Sequence, residues 1–158
     1  MNIELFDRLE EHVVNFWIAT KDEEIKKLFP FSNNTLNEAL CLFEETKKIG
    51  SSSFGKVIYV DGNYIGDIWI YGIDEMVEKM AMLSIVIFDK KYWNKGIGTS
   101  VIEKFKIICF DTYDIDKIGA FTYSSNIGSL RGLKKSGFKV INFFVEDGAE
   151  SVYLECTK

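Results

Sequence analysis

The sequence predicts one α+β fold of mixed α/β character, a mostly antiparallel central sheet flanked by helices, and three observations carry that prediction. The chain has 158 residues, one domain's worth, long enough to bury a core and too short for two ordinary enzyme domains, so residues 1–158 are expected to form a single domain. Its 47% hydrophobic, 27% charged and 15% aromatic residues are a globular composition, far from that of disordered chains. The residue pattern then changes near Phe54, from helix-forming segments to β-branched and aromatic runs.

Before that change, Thr20-Lys21-Asp22-Glu23 and Thr35-Leu36-Asn37-Glu38 both have capping-box spacing and predict two short helices after them. The second would place Leu36, Ala39, Leu40 and Phe43 on one face, to be packed against a sheet. After the Gly50–Ser53 loop, Lys56–Val60 and Tyr64–Tyr71 read as a hairpin across Asp61-Gly62-Asn63. Met80–Phe88 is almost wholly apolar, as a central strand buried on both faces would be. Val101, Ile102, Phe105, Ile108 and Cys109 give Thr99–Phe110 an amphipathic helical spacing. A strand at Lys117–Tyr123, a helix at about 127–135 ended by Ser136-Gly137, and two strands at Lys139–Val145 and Ser151–Cys156 complete the chain. No repeat or low-complexity tract occurs, and the lone proline, Pro30, makes no stiff linker.

Nineteen basic against twenty-four acidic residues give a net charge of -5, and Arg8 and Arg131 are the only arginines, which argues against general nucleic-acid binding. The cysteines Cys41, Cys109 and Cys156 are odd in number and widely spaced, and read as buried thiols in a reducing compartment. One histidine, His12, read as a surface helical residue, and no calcium-loop pattern predict no metal site. No apolar run reaches the ~20 residues that span a bilayer, and the acidic start of the chain is unlike a leader; a cytoplasmic protein without a membrane partner is expected.

The stretch that points to chemistry is a buried strand running through Asp89-Lys90-Lys91-Tyr92-Trp93-Asn94-Lys95-Gly96-Ile97-Gly98-Thr99 into an amphipathic helix. Two glycines before a helix N-terminus let backbone N–H groups approach an anion. The spacing is neither a nucleotide P-loop nor a dinucleotide fingerprint, and alone it also suits an ordinary strand-to-helix turn. With Ser125-Asn126-Ile127-Gly128-Ser129 and Lys135-Ser136-Gly137-Phe138, it resembles the GNAT superfamily of acetyl-CoA-dependent N-acetyltransferases over residues 54–158. Tyr92-Trp93 before Asn94-Lys95-Gly96 is similar to the branch holding ribosomal-protein N-terminal, spermidine and aminoglycoside acetyltransferases.

That resemblance implies a GNAT-like acyl-CoA N-acyltransferase fold and acetyl-CoA as cosubstrate, its diphosphate held by Asn94, Lys95, Gly96, Ile97, Gly98 and Thr99. It implies that Ile87 and Phe88 hydrogen-bond the pantetheine arm, that a backbone N–H near Phe88 polarises the thioester, and that Asn126 and Ser129 adjoin the arm. Asn126 also suits a helix N-cap. Where many members carry a tyrosine acid this chain has Leu133, so Tyr123 and Tyr92 are the candidates for that proton, against a packing role for both. The central strand lacks the family's carboxylate. Asp67 is the candidate base, with Glu75 and Glu78 behind it; Asp67 equally suits a solvated or substrate-facing position. Trp17, Phe29 and Phe31 are expected to pack the N-terminal helices. The expected partner is a small amine or peptide N-terminus, acetylated by direct attack in a ternary complex. A non-catalytic acyl-CoA-binding module of the same fold and a plain interaction domain are the alternatives, and a homodimer is possible through the C-terminal hairpin or a sheet edge.

Overall fold

The computed structural model describes residues 1–29 and 34–158. The elements run β1 (Ile3–Phe6), α1 (Glu10–Ala19), α2 (Glu23–Leu28), α3 (Leu36–Thr46), β2 (Phe54–Val60), β3 (Asn63–Asp74), β4 (Met80–Ile87), a 3-10 turn (Lys90–Tyr92), α4 (Ile97–Thr112), β5 (Lys117–Tyr123), α5 (Ile127–Lys135), β6 (Lys139–Glu146) and β7 (Ala149–Thr157). The strands form one seven-stranded sheet, ordered β1-β2-β3-β4-β5-β7-β6. Every neighbouring pair is antiparallel except β4 and β5. Those two strands are joined by the α4 crossover, which is what a parallel pair requires.

The apolar run of β4 takes the centre of the sheet, as its composition predicts. The hairpins turn where expected, with Asp61-Gly62 and Asp147-Gly148 all at positive φ, the backbone of a tight Asp-Gly hairpin turn. The main core lies between the sheet and α4: Val101, Ile102, Phe105 and Cys109 of that helix meet Ile58, Ile68 and Ile70, and Leu133 of α5 joins them. Phe16 of α1 packs on Trp69 and Phe88, ring centroids 6.1 and 6.3 Å apart. No helix among the described residues is long and apolar enough to cross a membrane.

The N-terminal region departs from the sequence expectation in four ways. First, β1 and α1 precede the two predicted helices. Second, Thr20 is not an N-cap: it closes α1, its hydroxyl donating to Phe16 O at 2.8 Å, and Asp22 caps α2 by accepting from the N–H groups of Glu24 and Ile25. Thr35 does cap α3, and that helix packs against α1. Third, His12 is buried, not on the surface. Its Nδ1 accepts from Leu9 N–H at 2.9 Å, which leaves Nε2 to donate to the Tyr59 hydroxyl at 2.8 Å. Burial pushes its pKa down, with Glu11 opposing and Arg8 reinforcing the shift. Fourth, Cys41 is exposed, whereas Cys109 and Cys156 are buried as expected, and burial pushes the Cys109 thiol up to about 12. Trp17 donates its indole N–H to Asn34 O at 2.9 Å; Pro30 and Phe31 lie outside the described residues.

Candidate active site

Between β4 and α4 the chain makes a turn with two left-handed residues, Asn94 (φ 59°) and Gly96 (φ 75°). A Cβ at Gly96 would meet no atom within 4 Å, so glycine there answers the backbone conformation and not crowding. Gly96 is the N-cap of α4 and brings no side-chain acceptor. Ser100 N–H is the first to close on the helix, reaching Gly96 O at 3.2 Å. The N–H groups of Ile97, Gly98 and Thr99 are therefore free of intrahelical partners, at the positive end of a sixteen-residue helix. Successive free N–H groups beside a left-handed turn form a concave anion seat.

Side chains fix this turn to the sheet. The Trp93 indole N–H donates to Ile87 O at 2.8 Å, the Asn63 amide donates to the Tyr92 hydroxyl at 3.3 Å, and Lys90 pairs with Asp22 and Glu24 at the start of α2, at 3.0 and 2.8 Å. Asn126 caps α5 by accepting from Ser129 N–H at 3.2 Å, and its amide donates to Leu28 O at 3.5 Å.

A second feature comes from the parallel pair. The β4–β5 ladder runs from Met80↔Lys117 to Leu83↔Ala120 and stops there. Beyond it, Ser84–Ile87 stay paired to β3 and Phe121–Tyr123 to β7. The strands splay, and among the described residues the main-chain edges facing the gap have no strand partner.

Two cavities meet at that gap. The first, about 380 Å³, lies between the α4 turn and α5, over Ile85, Ile87 and Ile102. The α5 face at i, i+3, i+4 and i+7, Gly128, Arg131, Gly132 and Lys135, forms one wall. Lys95, Arg131 and Lys135 all border this cleft, and none takes part in an ion pair among the described residues. The second cavity, about 690 Å³, is walled by Trp69, Tyr71, Ser84, Val86, Phe121, Tyr123 and Phe144, with Glu146 and Asp147 of the last hairpin contributing carboxylates. Leu28, Phe29, Ile85 and Ser129 border both.

Of the sequence-predicted residues, Ile87, Asn94, Lys95, Gly96, Ile97, Gly98, Thr99, Asn126 and Ser129 line the first cavity. Phe88 does not. Its ring stacks edge-on against Tyr64, centroids 5.0 Å apart, and its N–H donates to Ile65 O at 2.9 Å, so the N–H expected to polarise a carbonyl is engaged inside the sheet. The Ile87 carbonyl is likewise held by Trp93. The unpaired main chain facing the gap belongs to the preceding residues of β4 instead.

Tyr123 borders the second cavity, Tyr92 the first, and Leu133 is a buried wall residue. Asp67 borders neither cavity: it is 2% exposed, ion-paired to Arg8 (Nε–Oδ2 2.8 Å) and accepting from the Tyr64 hydroxyl. Burial raises its pKa to about 6 against the opposing pull of Arg8 and the Tyr64 hydrogen bond, and burial with the Asp67 charge pushes Tyr64 far above the ordinary phenol range. Glu75 and Glu78 precede β4, at the end away from the gap, and Glu75 accepts from Asp114 N–H at 2.8 Å. Phe29, expected to pack the N-terminal helices rather than bind substrate, although the resemblance places the loop between them along the acceptor groove, borders both cavities. Sequence reasoning missed Arg131 and Lys135, although their spacing with Gly128 and Gly132 on one helix face was readable. It also missed Trp69, Tyr71 and Ser84, whose role depends on the splay.

Over residues 5–139 the sequence matches the acetyltransferase (GNAT) domain family, and the chain belongs to that family. It is an enzyme of the acetyl-transferring class. No curated protein matches the sequence at a significant level. Solved structures similar in fold include the aminoglycoside acetyltransferase AAC(6')-Ib in complex with paromomycin and acetyl-CoA, 16% identical, covering 100% of this chain and 94% of that one, with a TM-score of 0.83. Another is spermidine N-acetyltransferase from Vibrio cholerae in complex with CoA and spermine, 14% identical, covering 98% and 95%, with a TM-score of 0.87. At these identities the likeness is one of fold, and it extends over the predicted GNAT-like sheet and helices.

Proposed function

We propose that the whole chain works as one N-acetyltransferase domain that moves the acetyl group of acetyl-CoA to a primary amine, by direct attack within a ternary complex. The observation that carries this reading is the meeting of two cavities at a break in the sheet, one floored by an anion seat and the other walled by aromatics and carboxylates. The first cavity suits the cosubstrate. Its main-chain N–H groups and three cations without an ion pair among the described residues match a diphosphate, and Ile85 and Ile87 match an extended, largely apolar arm. The second suits an acceptor, and the shared wall lets both be held at once, as direct attack requires.

In the reaction the amine nitrogen bonds to the acetyl carbon, the carbon–sulfur bond breaks, and a proton leaves nitrogen while one arrives on sulfur. Main-chain groups on the unpaired edge of β4 are placed to support the carbonyl oxygen as it gains charge. Tyr123, at the acceptor side of the gap, is the candidate proton donor to the leaving thiolate, and Asn126 and Ser129 set the wall along the arm. Asp67, sealed against Arg8, acts by holding β3 to the chain before α1 and not as the base. A thiolate with a pKa near ~8.5 leaves with water as its proton source if needed.

Glu146 and Asp147 favour a cationic acceptor, in keeping with the net charge of -5, and the two similar structures hold an aminoglycoside and spermine. A cytoplasmic, homodimeric enzyme acting on a small polyamine-like substrate or a peptide N-terminus is the full reading. Calorimetry with acetyl-CoA and a thiol-release assay over an amine panel test it. Binding followed by amine-dependent CoA release is expected; binding without release on any amine would leave only an acyl-CoA-binding module, and no binding at tens of micromolar would end the proposal.

A further inference from the structure

The part of β4 that faces the gap, Ser84–Ile87, carries one polar side chain, that of Ser84. Phe88 N–H donates to Ile65 O on the β3 side. The alternation of hydrogen-bonding edges along a strand then turns the main-chain groups of Val86 and Ser84 to β3 as well, and those of Ile85 and Ile87 to the gap. Side chains alternate between the two faces of the sheet: Ile85 and Ile87 line the first cavity, whereas Ser84, paired with Trp69, lines the second. The Ser84 hydroxyl therefore stands on the acceptor side of the gap, next in sequence to the unpaired N–H of Ile85.

Ser84 also has a partner that leads outward. Tyr71 sits opposite Met82 on β4, so it is the diagonal neighbour of Ser84 on the same face, and its hydroxyl hydrogen-bonds with Ser84. Burial pushes the Tyr71 pKa up, with the Ser84 hydrogen bond opposing, so the phenol is protonated at neutral pH. Tyr71 is nonetheless 38% exposed. One end of the hydroxyl pair meets the gap and the other meets solvent. The other titratable groups lining this cavity among the described residues are Tyr123 on β5 and Glu146 and Asp147 on the last hairpin.

We propose that Ser84 receives the acceptor amine, its Oγ accepting an amine N–H and turning the nitrogen lone pair to the acetyl carbon, and that Ser84 and Tyr71 together carry away the proton that nitrogen must lose; this rests on the gap being the place of acetyl transfer, as above. The amine enters as its free base. Nitrogen bonds to the acetyl carbon and becomes positively charged, while the carbonyl oxygen gains the electron pair. The proton on nitrogen passes to Ser84 Oγ, the Ser84 proton to Tyr71 Oη and the Tyr71 proton to water, so both hydroxyls end neutral, as they began. The oxygen then returns its pair, the carbon–sulfur bond breaks, and the thiolate takes its own proton separately. Ser84 is thereby a catalytic residue and Tyr71 a positioning residue that acts through it. Two neutral hydroxyls do at the gap what a carboxylate base on the central strand would otherwise do.

The first experiment needs no acceptor. In a Cys41→Ser background, Ser84→Cys mixed with acetyl-CoA should gain one hydroxylamine-labile acetyl group by intact mass: the introduced sulfur bonds to the acetyl carbon, CoA leaves, and the proton of the attacking thiol goes to the departing sulfur. Tyr71→Cys in the same background should react at least about tenfold more slowly, since diagonal neighbours stand roughly 7–8 Å apart. Calorimetry with acetyl-CoA separates two failures. No binding by the wild-type chain would end the reading of the gap and the relay with it, whereas binding by Ser84→Cys without acetylation would overturn the Ser84 assignment alone. The second experiment uses acetyl-CoA with spermine, or with a peptide N-terminus where that turns over faster. Ser84→Ala should lower kcat/KM for the amine about ten- to a hundredfold, with acetyl-CoA affinity unchanged, and Ser84→Thr should keep most of the rate. Tyr71→Phe should lower it about three- to tenfold and reduce the solvent deuterium isotope effect, which a packing role would not move. Tyr71→Phe added to Ser84→Ala should cost nothing further, because one acts through the other. Unchanged turnover in Ser84→Ala, or losses that multiply in the double variant, would overturn the relay.

Discussion

Gly98→Ala separates the ligand-binding role of the α4 turn from its folding role, because the two predict opposite signs. Gly98 sits inside α4 and its added Cβ would touch only Ile87 Cδ1, at 4.0 Å, an ordinary contact. Alanine in a compatible helical position stabilises by about 0.4–1 kcal/mol, through reduced freedom of the unfolded chain and better helix propensity. For a chain of this length that raises Tm by roughly 1–4 °C. The new methyl also stands on the lining of the first cavity. There it holds a diphosphate away from N–H groups it must approach closely. Losing one charge-assisted hydrogen bond, at about 1.5–3 kcal/mol, weakens CoA binding ten- to a hundredfold. Differential scanning fluorimetry gives the first quantity and titration calorimetry the second. A raised Tm with unchanged CoA affinity would refute the anion seat, since the helix would then have kept glycine for no ligand.

Other perturbations test the remaining parts. Gly96→Ala should lower stability by about 1–2 kcal/mol, the cost of a Cβ in the left-handed region, read as a fall in Tm. Arg131→Ala and Lys135→Ala should each weaken CoA binding and flatten its salt dependence; because the diphosphate is common to CoA and 3′-dephospho-CoA, the loss should appear with both, and a loss confined to CoA would move these cations to the 3′-phosphate. Tyr123→Phe should lower kcat about tenfold or more with little change in KM if the hydroxyl serves the leaving thiolate, and unchanged kcat would remove it from the mechanism. Asp67 titrates at about 6 when folded against 3.8 as its ordinary value. The folded state thus holds this proton more tightly, so the contribution to stability is fullest below pH 3.8, falls as the pH rises, and is gone above pH 6. Asp67→Asn should flatten the Tm–pH curve across that window, and an unaltered slope would show that Arg8 keeps the carboxylate ionised throughout.

How legible each part was depends on how local its cause is. The α4 turn could be read in sequence because its determinants, two glycines and a helix start, lie within a few residues. The central place of β4 followed from its unbroken apolar run. Thr20-Lys21-Asp22-Glu23 misled because Thr20 and Asp22 both suit a helix end; Asp22 takes the N-cap of α2 while the Thr20 hydroxyl satisfies a carbonyl of the preceding helix. The four residues Ile3-Glu4-Leu5-Phe6 are too few to distinguish β1 from a loop. His12 and Asp67 were out of reach for another reason: their partners, Tyr59 and Arg8, lie 47 and 59 residues away, and nothing near either residue announces the pairing.

The break between β4 and β5 explains why the two cavities meet where they do. An all-antiparallel sheet would keep its ladders closed, and nothing could reach through it. One parallel pair, imposed by the α4 crossover, leaves β4 committed to β3 and β5 committed to β7 once Leu83 and Ala120 are passed. The same crossover must begin with a helix N-terminus beside the opening, because α4 starts where β4 ends. An anion seat and an unpaired strand edge therefore arise together from a single connection. The side chains added to that frame tune it: Trp93 and Lys90 hold the turn in place, α5 offers cations on a glycine-lightened face, and the final hairpin brings carboxylates to the far side. On the proposed reading, the anionic donor and a cationic acceptor lie on opposite sides of one gap, each in its own electrostatic environment, and meet where an amine would reach the thioester.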